Sequence, residues 1–121
     1  MTEIPNSKQY DLEERTLKFA KDTRIFVKNL PKTIGNIEDG SQLVRASGSV
    51  GANYIEANES LSKKDFYMRI KISRKEAKES RFWLNLVDTG NNPGLEKERL
   101  RLIQEATELM NIFGSIIRKQ V

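Results

Sequence analysis

The chain contains no cysteine and no histidine. Without a thiol there is no disulfide framework and no thiolate nucleophile. Without an imidazole there is no Ser-His-Asp triad and no histidine general base, and the two absences together remove the common zinc sites. Prolines number three and glycines seven in 121 residues, so long stretches run without a strong backbone breaker. That spacing favours long helices over many short strands. Nothing approaches the roughly 20 uninterrupted apolar residues that span a bilayer, and the opening MTEIPNSKQYDLEERTLKF has no apolar segment of the secretory kind. The expectation is a cytoplasmic protein with no membrane partner, in which the sequon Asn58-Glu59-Ser60 carries no meaning.

What is present fits one domain, since domains of roughly 100–200 residues are the norm. Lys and Arg number 21 against 17 Asp and Glu, a formal net charge of +4, with 31% charged and 37% hydrophobic residues. Such a chain is mildly basic and apolar enough to fold.

Residues 1–10 are polar and aperiodic and read as a loose tail before a bundle over 11–121. Asp11 and Glu14 have capping-box character, and Leu12, Thr16, Phe19, Thr23, Phe26 and Leu30 recur at alternating spacings of four and three, predicting a helix over 11–29. A second helix, over 36–59, carries Leu43, Ser47, Val50, Tyr54 and Ala57 in the same rhythm. Its Gly40, Gly48 and Gly51 each weaken helix propensity by ~1 kcal/mol, and close helix approach explains them better than a turn. Ser62 followed by Asp65 opens a third helix, over 62–88, with seam positions Phe66, Ile70, Ser73, Ala77, Ser80, Leu84 and Val87. After the breaker cluster Thr89–Gly94, a fourth helix over 95–119 carries Leu95, Leu102, Ala106, Leu109, Phe113 and Ile116. Four helices with short connections predict an all-α, antiparallel up-and-down four-helix bundle.

The third helix has more than one special face. Opposite its seam run Met68, Ile72, Phe82, Trp83 and Leu86, a second apolar strip that a monomeric bundle helix does not need and that predicts an oligomer interface. Residues 62–88 carry a net charge of +4, while 1–61 carry −1 and 89–121 carry +1. Lys63, Lys64, Lys71, Arg74, Lys75, Lys78 and Arg81 project within roughly one third of the helix circumference, the footprint expected for contact with a phosphate backbone. Arg45, Asn53, Glu56, Arg69 and Glu76 lie near the seams of the second and third helices and predict a structural polar network, because charged groups at a core edge need partners. No catalytic constellation, metal site or cofactor motif emerges: the ferritin-like Glu-x-x-His signature is impossible, and Gly48-Ser-Val-Gly51 lacks the length and the lysine of a phosphate-binding loop.

The run Gln42-Leu-Val-Arg-Ala-Ser-Gly-Ser-Val-Gly-Ala-Asn-Tyr-Ile-Glu-Ala-Asn58, then Ser62-Lys-Lys-Asp-Phe66 and Ile70-Lys-Ile-Ser-Arg-Lys-Glu-Ala-Lys-Glu-Ser80, resembles the bacterial four-helix-bundle proteins encoded by intervening sequences of 23S rRNA genes. The resemblance spans about Tyr10 to Arg118. It implies a bundle that assembles into a ring, typically a homopentamer, and a more distant similarity to the accessory variability proteins of diversity-generating retroelements, which bind nucleic acid and a reverse transcriptase. The family's recurrent polar positions fall on Arg45, Asn53, Glu56, Phe66 and Glu76, whereas Gly48 and Gly51 depart from many members. The combined expectation is a non-enzymatic homo-oligomer that binds RNA or DNA through the third helix, with no cofactor and no small-molecule substrate. The alternative is a protein-interaction scaffold in which the charges only solubilise the ring.

Overall fold

The computed structural model describes the backbone of residues 4–120 and the side chains of residues 12–120. Four helices follow one another: α1 (Ile4–Lys28), α2 (Ile34–Asn58), α3 (Lys63–Leu86) and α4 (Pro93–Ile117). The protein is all-α, with no strand among the described residues.

Each internal helix start has a polar cap that takes up an orphan backbone N–H. Thr33 accepts from the Asn36 N–H, Ser62 from the Asp65 N–H and Asn92 from the Leu95 N–H. Pro93 fills the first helical position of α4, where its missing N–H costs no bond. The breaker cluster before it turns through Gly90 and Asn91 at φ values of 67° and 61°, the left-handed region that glycine and asparagine tolerate best. The expected loose tail over 1–10 lies partly outside the described residues; from Ile4 the backbone is helical, so Asp11 lies inside α1 instead of capping it. Pro5 falls in the first turn, where proline is compatible with a helix start.

Phe19, Phe26, Leu43, Val50, Ile70, Leu84, Leu102, Leu109 and Phe113 are almost wholly buried and form the centre of a single core. Burying each such side chain contributes about 1.5–3 kcal/mol before entropy is subtracted. α2 and α4 each pack against both α1 and α3. Between α2 and α4, the rings of Tyr54 and Phe113 meet at 6.0 Å.

Polar contacts tie the helix ends and edges. Arg15 binds Glu105 through both its Nε and Nη2, at 2.9 Å each, and reaches Glu108 at 2.7 Å. Asp22 accepts from Lys18 and from Arg101, which also binds Glu98. Asn36 joins two turns: its amide nitrogen donates to the Pro31 and Asp88 carbonyls, and its oxygen accepts from the Asp88 N–H. Contacting residues run in opposite order on neighbouring helices, as in Arg45 with Glu76 and Asn53 with Arg69, or Asp22 with Arg101 and Arg15 with Glu105.

Candidate functional site

The candidate surface is built on α3. Its seam turns inward, with Ile70, Ser73, Ala77, Ser80 and Leu84 buried. The Ser73 hydroxyl donates to the Val50 carbonyl of α2, and the Ser80 hydroxyl to the Glu76 carbonyl one turn back, so both polar seam positions are satisfied. With that face fixed by packing, the helical period carries Lys63, Lys64, Lys71, Arg74, Lys75 and Lys78 to the exposed side. Among the described residues none of these six has a carboxylate within ion-pair distance. Arg81 differs: it is half-buried and its Nη1 donates to the Thr107 hydroxyl of α4 at 3.2 Å. Like charges at i,i+3 and i,i+4, such as Lys71 with Arg74 and Lys75, or Arg74 with Lys78, oppose the helix by a few tenths of a kcal/mol each.

The neighbouring α1/α4 edge is balanced. Between α1 and α4, Arg15 and Arg101 are both saturated by carboxylates, which holds their guanidinium pKa values above the ordinary arginine range. Hydrogen bonds from those arginines also lower acids. Arg101 holds Glu98 below its usual value; Gln104 and then Arg15 do the same for Glu108. At Asp22 burial pushes the carboxyl up, but the bonds from Lys18 and Arg101 together outweigh it and the net shift is downward.

The second apolar strip divides in two. Phe82, Leu86 and Met68 are 58%, 51% and 46% exposed, whereas Ile72 is half-buried and Trp83 packs its half-buried ring against the core. Phe82 and Trp83 meet edge to face at 5.0 Å. Apolar exposure extends beyond α3, for Leu61 is fully exposed, and Leu17, Ile25, Ile34, Ile37, Ile55 and Leu100 are all more than half exposed.

The polar network breaks into two groups. Arg69 Nη1 donates to Asn53 Oδ1 at 3.0 Å, and Asn53 Nδ2 donates on to the Ser49 carbonyl. Arg45 Nη2 lies 3.7 Å from Glu76 Oε1 and 3.5 Å from Glu79 Oε1. Glu79 was not anticipated in this group, though it stands one turn from Glu76. Glu56 is exposed, and among the described residues its carboxylate bonds to neither group, so the expected five-residue network is corrected to two separate groups. Glu76 is only 7% exposed and its Oε1 has no hydrogen-bond partner among the described residues.

One relationship on the α3/α4 edge escaped the sequence reading. Arg74 Nε and Arg118 Nη1 each lie 3.5 Å from the point that a Cβ on Gly114 would occupy. Arg118 stands just past α4, outside the charge run of α3, so no periodicity in the sequence links it to Arg74. Two open hollows, of about 220 Å³ beside Pro31 and Asn36 and about 120 Å³ between Arg15 and Arg101, lie away from α3. No group of acidic residues among those described has the geometry to hold a metal ion, and no described helix is long and apolar enough to cross a membrane.

Together these features define a four-helix bundle whose third helix presents uncompensated positive charge beside an exposed apolar strip. Residues 8–115 match the family described as 23S rRNA-intervening sequence protein, and the chain belongs to that family. It is similar to a crystallised protein of unknown function from the S23 ribosomal protein family of Bacteroides thetaiotaomicron. The two are 27% identical, with a TM-score of 0.74 over 88% of this chain and 98% of that one. No curated protein matches.

Proposed function

We propose that the protein is a non-enzymatic, cytoplasmic antiparallel up-and-down bundle that assembles into a homo-oligomeric ring, a pentamer by family resemblance, and binds RNA or DNA through α3. The observation that carries the nucleic-acid reading is the set of six exposed cations on α3 without carboxylate partners among the described residues, on a protein whose α1/α4 edge is saturated with ion pairs. Phosphates supply the missing counter-charge, and their release of condensed cations supplies affinity without sequence preference. The opposite order of contacting residues on neighbouring helices supports the antiparallel topology. Phe82, Met68 and Leu86 support assembly, because exposed apolar residues of this size gain by being covered. Assembly repeats the basic face, so weak contacts add by avidity. The likeness to accessory variability proteins belongs to this reading and would add a protein partner to the ring.

Filter binding at a low and a high salt concentration tests it. Binding at low salt that weakens at high salt and is lost when Lys71, Lys75 and Lys78 are replaced by Glu supports the nucleic-acid role. A ring that persists and binds no nucleic acid leaves the protein-interaction scaffold as the function.

A further inference from the structure

We propose that Arg74 and Arg118 form a phosphate clamp on the α3/α4 edge, gripping one phosphodiester of a bound nucleic acid above the bare backbone of Gly114. The proposal rests on the reading of α3 as a nucleic-acid surface and adds to it a named subsite that includes a residue outside α3.

The two side chains come from different elements and converge. Each places a guanidinium nitrogen 3.5 Å from one and the same point over Gly114, so those nitrogens lie no farther apart than twice that distance. Two cations held this close repel unless an anion stands between them. Arg15, Arg45, Arg99 and Arg101 lie within ion-pair distance of carboxylates, and Arg24, Arg69 and Arg81 donate instead to a carbonyl, an amide and a hydroxyl oxygen. Among the described residues Arg74 and Arg118 have no carboxylate partner. The negative end of the α4 dipole accounts for a cation at Arg118, but not for a second guanidinium brought to the same point from α3.

The local construction also suits a phosphate. Arg118 Nη2 donates to the Ser115 hydroxyl at 3.0 Å, which orients the guanidinium. Lys71 and Lys78 flank Arg74 one turn away on either side and are exposed. Gly114 has no side chain to occupy the space between the two forks. Planar guanidinium groups match the spacing of phosphate oxygens in a way that lysines do not, so a pair of them fixes the register of a backbone that the surrounding lysines merely attract.

The test is fluorescence anisotropy of the full chain with oligo-dT and oligo-rU probes of about 20 nucleotides, across a series of salt concentrations, on wild type and on Arg74→Gln, Arg118→Gln and Gly114→Glu. Each Gln variant should weaken binding of both probes roughly five- to tenfold and lower the slope of log K against log salt by about one. Gly114→Glu, which sets a carboxylate between the guanidiniums, should weaken binding at least as much while circular dichroism shows an unchanged helix content. If Arg118→Gln binds with wild-type affinity and slope while reversal of Lys71, Lys75 and Lys78 abolishes binding, the clamp is wrong and the basic surface stands. A loss confined to one probe assigns the contact to sugar or base and overturns the clamp, and a wild type that binds neither probe overturns clamp and surface together.

Discussion

Gly51 of α2 lies against Thr16 of α1 so closely that a Cβ on the glycine would come 2.7 Å from Thr16 Oγ1 and 3.0 Å from its Cβ. Thr16 cannot yield easily, because it is buried and its hydroxyl already donates to the Leu12 and Glu13 carbonyls. Gly51→Ala therefore trades about 1 kcal/mol of helix propensity for an overpacking cost of about 1–3 kcal/mol. Urea unfolding should show a net loss of stability. Gly114→Ala, where a Cβ meets only ordinary contacts at 3.5 Å, should gain about 0.5–1 kcal/mol in the same experiment.

Arg99 closes the end of α3. Its Nη1 donates to the carbonyls of Leu84, Asn85 and Val87 at 3.0, 3.3 and 2.6 Å, and its Nη2 is held by Glu96. Those carbonyls lie in and just past the last turn of α3, where intrahelical donors run out. Arg99→Ala should cost about 1–3 kcal/mol by leaving them unpaired. Arg99→Lys should recover part of that, since one ammonium can donate to the carbonyls but has no second arm to hold Glu96 as the guanidinium does. Thermal unfolding of both variants measures the difference.

Acid should destabilise the fold in a defined window. The carboxyls of Asp22, Glu96, Glu98 and Glu108 all titrate below their ordinary values of 3.8 and 4.5. For Glu96 the chief cause is the bond from Arg99, followed by the Thr89 hydroxyl. A carboxyl with a depressed folded-state pKa is protonated first in the unfolded chain, so its stabilisation is complete above the unfolded value and is lost as pH falls through the folded one. Stability should stay level from neutrality to about pH 5 and decline progressively below it. At the alkaline end Tyr54, raised above its ordinary value of 10.0 chiefly by burial, should cost stability as pH rises past that value. Urea midpoints across the pH range check both limbs, and Arg101→Gln, which removes a partner of Asp22 and Glu98, should flatten the acid limb.

Phe82 and Trp83 are adjacent but should respond differently to truncation. Phe82 is mostly exposed, so Phe82→Ser should leave the stability of the fold within about 0.5 kcal/mol of wild type. Light scattering should nevertheless show a smaller assembly. Trp83 touches the core, and Trp83→Ala should cost about 2 kcal/mol of fold stability as well.

The interior of α3 was legible because one rule governs it: a four-three spacing of small and apolar residues puts Ile70, Ser73, Ala77, Ser80 and Leu84 on one buried face. Gly51 was legible for the same reason, as a break in propensity that only a close helix contact explains. Contacts between side chains on different helices were not. Glu56 has the spacing of a network member but points to solvent, and Arg118 has no periodic relation to Arg74 although both meet over Gly114. Such pairings depend on the relative rotation of two helices, which no single helix encodes. The start of α1 was hidden differently, since a polar first turn containing proline reads equally as tail and as helix.

If the uncompensated charge on α3 binds a nucleic-acid backbone, the affinity is carried by phosphate contacts. The slope of log K against log salt for wild type with a nucleic-acid probe, together with the affinity of the Lys71/Lys75/Lys78→Glu variant at the lowest salt, measures those contacts. Wild type should show a linear negative slope, reflecting several phosphate contacts, and the variant no measurable binding. Wild-type binding that is absent at low salt, or that is unchanged by salt and by the triple reversal, would contradict phosphate contact through α3.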